Sequence, residues 1–101
     1  MTRDEVVAWL ESRRPAPPGA LRERLQGAVD QLLPAPRSPL PAYLAQLGQE
    51  LLAKVASRPG GGRELALDLL AADAFVTYAF EAQAEEDVGM LAQVAEGIHG
   101  S

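Results

Sequence analysis

The stretch from Glu64 to Asp87, ELALDLLAADAFVTYAFEAQAEED, constrains this chain more than any other. Between Leu65 and Phe80 its only polar side chains are Asp68, Asp73, Thr77 and the hydroxyl of Tyr78. As a helix it is apolar nearly all round, and such a helix needs partners on several sides. At about 100° per residue, Glu64 and Asp68 share one side, whereas Asp73, Thr77, Glu81 and Glu85 form an i, i+4 ladder on nearly the opposite side. The exposed edge is therefore expected to change side along the helix. Leu65, Leu69, Leu70, Phe75, Val76 and Phe80 supply bulk, and the intervening alanines let neighbouring helices come close.

The remainder of the chain also reads as helix. Its apolar residues are mostly Leu and Ala, with only 5% aromatic residues in the chain and few β-branched ones, which favours helix over strand. Thr2-Arg3-Asp4-Glu5 fits a capping box, and the helix it opens presents Val6, Val7 and Leu10 with Trp9 at the edge. Pro15-Ala-Pro-Pro-Gly19 ends it. Leu21, Leu25, Ala28, Val29 and Leu32 lie on one face of a second helix that starts near Pro18. Ser38-Pro39 caps a third, whose apolar seam is Leu40, Leu44, Leu47, Leu51 and Val55, widened by Tyr43 and Leu52. Arg58-Pro-Gly-Gly-Gly62 is the clearest break. Glu85-Glu-Asp87 followed by Gly89 predicts a second break, with Met90, Leu91 and Val94 on a short last helix.

The expectation is an all-α fold, a compact bundle of four main antiparallel helices plus a short C-terminal helix. The four span roughly 3–13, 18–33, 39–57 and 63–86, the fifth 88–97, and all 101 residues form a single helical domain. Three amphipathic helices of modest length leave part of a 24-residue helix, roughly 36 Å long, uncovered.

Charge divides the chain. Residues 1–63 carry nine basic and six acidic side chains; residues 64–101 carry eight acidic and no Lys or Arg. The basic N-terminal helices are expected to lie against the acidic C-terminal part. The alternative is that the acidic face is offered to a basic protein partner or to another copy of the chain. Scattered Arg residues do not make the concentrated patch that displaces counterions from nucleic acid, so no nucleic-acid partner is expected. No membrane partner is expected either, because Asp68 and Asp73 interrupt the only long apolar run. The start of the chain lacks a signal-peptide pattern, and the Ala-, Pro- and Arg-rich composition suggests a bacterial, cytoplasmic protein.

Little in the sequence points to chemistry. There is no cysteine, and the single histidine, His99, is near the end of the chain, so neither a zinc site nor a Ser/His/Asp set can be assembled. No metal and no cofactor are expected. Asp73 and Glu81 are the candidate catalytic carboxylates, since an acid held among apolar residues is desolvated and poised as a base. Trp9, Phe75, Tyr78 and Phe80 are the candidate lining of a small-molecule or lipid pocket. The favoured expectation is a non-enzymatic interaction or oligomerisation module, a homodimer through helix 63–86. The alternatives are the ligand-binding bundle and a small enzyme using a helix-borne carboxylate.

Overall fold

A computed structural model describes residues 2–31, 38–57 and 62–99. Among them the chain is all-helical: α1 (Arg3–Glu11), α2 (Gly19–Gln31), α3 (Leu40–Ser57) and α4 (Arg63–His99). The first three match the expected helices to within two residues wherever they can be compared. Leu32, and the Pro34 to Arg37 and Arg58 to Gly61 joints, lie outside the described residues.

Local chemistry accounts for the helix starts. The Glu5 backbone N–H donates to the Thr2 hydroxyl at 3.2 Å, and that hydroxyl lies 3.3 Å from the Glu5 carboxylate, so the two side chains cap α1 together. Pro18 and Pro39 stand just before α2 and α3, and their carbonyls accept from Arg22 and Tyr43 at 2.9 and 3.0 Å. Gly62 precedes α4 at φ +138°, a conformation that side-chain-bearing residues avoid, while its carbonyl accepts from Ala66.

The core is built on the predicted faces. Val6 and Leu10 of α1, Leu25, Ala28 and Val29 of α2, and Leu40, Tyr43, Leu44, Leu47 and Leu51 of α3 are buried against Ala71, Ala72, Phe75 and Ala82 of α4. Helices α3 and α4 run in opposite directions, because Gly48 faces Ala72 and Val76 while Pro41 and Ala45 lie beside Ala79 and Phe80. Their closest approach is at Gly48. A methyl group there would stand 3.0 Å from Val76 Cγ2 and 3.2 Å from the Ala72 carbonyl oxygen. Leu52 departs from expectation: it is 44% exposed and does not widen the buried seam of α3.

The expected break near Gly89 and the separate helix 88–97 are corrected, since α4 is one continuous helix of 37 residues. A single glycine costs a helix about 1 kcal/mol relative to alanine. Flanked by Ala, Glu, Gln, Met and Leu, and with no proline after Pro59, that cost is too small to end the helix. At 1.5 Å per residue α4 is about 55 Å long, and it sets the longest dimension of the molecule, 61 Å.

Candidate interaction surface

Three faces of α4 differ in what they meet. Asp68, Ala71, Ala72, Phe75 and Ala82 are buried and fall within about 100° of helix circumference. The expectation that the exposed edge changes side is thereby corrected. The Glu64–Asp68 side is not an edge at Asp68, which is 4% exposed and receives the Arg24 guanidinium of α2. Charge is tolerated at that inward position because an opposite charge arrives from a neighbouring helix.

The second face is ionic and joins α4 to α1. Arg13 donates to Glu85 at 2.6 Å and lies 3.5 Å from Glu81, and the Trp9 indole N–H donates to Glu85 at 3.1 Å. The same guanidinium stacks 3.7 Å from the centre of the Trp9 ring, and Tyr78 meets that ring edge-on at 6.0 Å. Hydrogen bonds from Arg13, and secondarily from Trp9, hold the Glu85 carboxyl below its ordinary 4.5. Burial, helped by the Glu81 carboxylate, pushes the Tyr78 phenol above 10.0. Arg13, just past the end of α1, and Arg24 of α2 thus tie the N-terminal part of the chain to α4.

The third face looks outward and carries apolar bulk. Leu69, Leu70, Phe80, Val88, Leu91 and Val94 are all about half exposed or more, with Phe80 at 74% and Leu91 at 68%. They fall in a strip about 120° wide, nearly opposite the buried face. Together they expose apolar area on the order of 600 Å², at the upper end of what a solitary soluble protein shows. Beside the strip a shallow groove of about 340 Å³ runs between α3 and α4, lined by Pro41, Ala42, Ala45, Val76, Ala79 and Phe80. Every residue from Gln83 to Gly97 is exposed.

The candidate residues separate onto these faces. Asp73 is exposed in the middle of the outward strip and is not enclosed among apolar residues. Glu81 lies beside Arg13. Phe75 is fully buried and Phe80 is open to solvent about 140° away around the helix, so these two cannot face one internal space. Trp9 and Tyr78 are half-buried in the α1–α4 junction. No group of three or more His, Cys, Asp or Glu suited to a metal ion occurs among the described residues. No described helix is long and apolar enough to cross a membrane. What sequence reasoning missed is Arg13 as the hub of the junction, and the continuation of the outward strip beyond residue 86. Leu70, Thr77, Ala84 and Leu91 recur at seven-residue spacing through the expected break, and that spacing was the available signal. No family model matches the chain, and no curated protein or solved structure is significantly similar to it.

Proposed function

We propose that this chain is a non-enzymatic, helical-bundle interaction module that self-associates into a homodimer through α4. One observation carries the reading: the strip of exposed Leu69, Leu70, Phe80, Val88, Leu91 and Val94, interrupted by Asp73, Thr77 and Asp87, on the side of α4 turned away from its own core. Its exposed area, on the order of 600 Å², approaches the roughly 800 Å² per partner of a standard stable interface. Large apolar side chains left in water gain about 25 cal/mol per Å² when covered. Three of the eight acids of α4, Asp68, Glu81 and Glu85, are already engaged by Arg24 and Arg13. What faces outward is predominantly apolar. Sedimentation equilibrium tests this directly. The wild-type chain is expected to reach twice its 10.7 kDa mass with rising concentration, and Phe80→Glu, altering a side chain that the core does not hold, is expected to remain a monomer. A wild-type chain monomeric throughout the accessible range would exclude the proposal.

A further inference from the structure

We infer that the second copy lies antiparallel along the outward strip of α4, with the two helices crossing near the level of Ala82. This inference rests on the self-association proposed above and adds its geometry.

The reasoning begins with charge. From Glu64 onward the chain carries eight acids and no Lys or Arg, and α4 concentrates them late, at Glu81, Glu85, Glu86, Asp87 and Glu96. A closed two-fold pair of parallel helices must be in register, since any stagger leaves an interface that does not close. Register would set Asp73 against Asp73 and Asp87 against Asp87 along the strip. Like charges at such positions repel, and no Lys or Arg on α4 after Arg63 relieves them.

Reversing one helix removes the conflict. In an antiparallel pair centred at Ala82, residues equidistant from that level face each other. Asp73 then stands opposite Leu91, and Asp87 opposite Thr77, whose hydroxyl can donate to it. Volumes match as well: Phe80 of one copy meets Ala84 of the other, and Leu70 meets Val94, so large side chains are seated against smaller ones. The helix dipoles also oppose, with the acid-rich C-terminal half of each α4 beside the N-terminal half of the other.

The architecture supplies a second argument. Residues from Gln83 to Gly97 are all exposed, with Glu85 tied to Trp9 and Arg13, while Leu69 and Leu70 lie exposed at the other end of the same strip. The antiparallel arrangement lays each projecting segment on the exposed first half of its partner's α4. One contact covers both.

The absence of cysteine makes the test clean. Glu96→Cys in the full chain provides a single site for a nitroxide label on an exposed residue outside the strip. Sedimentation of the labelled chain reports mass, and dipolar electron resonance reports the distance between labels. The expected result is a dimer with labels at least about 40 Å apart, twice the rise of the fourteen residues separating position 96 from the crossing level. A dimer with labels within about 25 Å is parallel; it overturns this inference and leaves self-association standing. A monomer at every concentration overturns both.

Discussion

The two halves of α4 share one backbone geometry and are held by different forces. From Arg63 to Ala82 the helix is fixed by its neighbours: Phe75 is fully buried, Asp68 is paired with Arg24, and Gly48 lets α3 come within van der Waals reach. From Gln83 to Gly97 every residue is exposed. Apart from the ties of Glu85 to Trp9 and Arg13, local terms sustain that half. Those terms are alanine-rich composition and side-chain pairs such as Gln83 to Asp87 at 3.0 Å. The contrast shows that a helix assigned as one element can be tertiary structure at one end and little more than a peptide helix at the other.

The largest expected effect lies in the packed half. Gly48→Leu would push side-chain atoms into the Ala72 backbone, where nothing can rotate away, and is expected to cost about 3 kcal/mol in urea unfolding. A stable variant would show that α3 and α4 are less tightly joined than their geometry indicates. Arg24→Met is next, with an expected loss of about 2 kcal/mol, because it removes a cationic partner from a buried carboxylate. Thermal unfolding with and without the companion change Asp68→Asn would separate the pair's coupling from packing. In the projecting half the sign reverses. A Cβ at Gly89 meets nothing within 4 Å, so Gly89→Ala is expected to raise helicity and slow amide exchange around residues 86–94, by an amount bounded by about 1 kcal/mol. Unchanged exchange would mean that this segment is already held by other contacts.

The smallest effect concerns the boundary between the halves. The folded state lowers the Glu85 carboxyl below 4.5, so the stabilisation it provides is complete above that value. It is lost as pH falls from there through the lower folded value. Trp9 fluorescence should follow this titration in the wild type, and the response should vanish in Glu85→Gln. A response that persists would assign the titration to another carboxyl.

Much of the fold was legible in sequence because helix starts and apolar faces are local properties. Thr2, Pro18 and Pro39 open their helices as expected, and the faces carrying Leu25 and Leu44 are buried. The misreadings share a cause. Gly89 was weighed as a breaker by type, whereas continuity depends on the summed propensity of its neighbours. Charge usually avoids the interior, and Asp68 is buried with Arg24, distant in sequence by 44 residues, as its partner. For the candidate site, the Phe80 strip could be drawn on a helical wheel, yet which side α1, α2 and α3 would leave uncovered depends on their arrangement in space. The apolar candidates Phe75 and Phe80 were indistinguishable until then.

The Trp9–Arg13–Glu85 junction has a mechanical consequence. Among the described residues it is the last anchorage of α4, so the helix beyond Glu85 forms a cantilever clamped at one end, with Gly89 as the compliant point nearest the clamp. Ten residues separate Gly89 from His99, an arm of about 15 Å. A bend of about 20° at the glycine, the threshold of a distinct kink, sweeps the tip through about 5 Å. The clamp therefore fixes the root of the arm, while the reach of its tip is set at the glycine nearer that root.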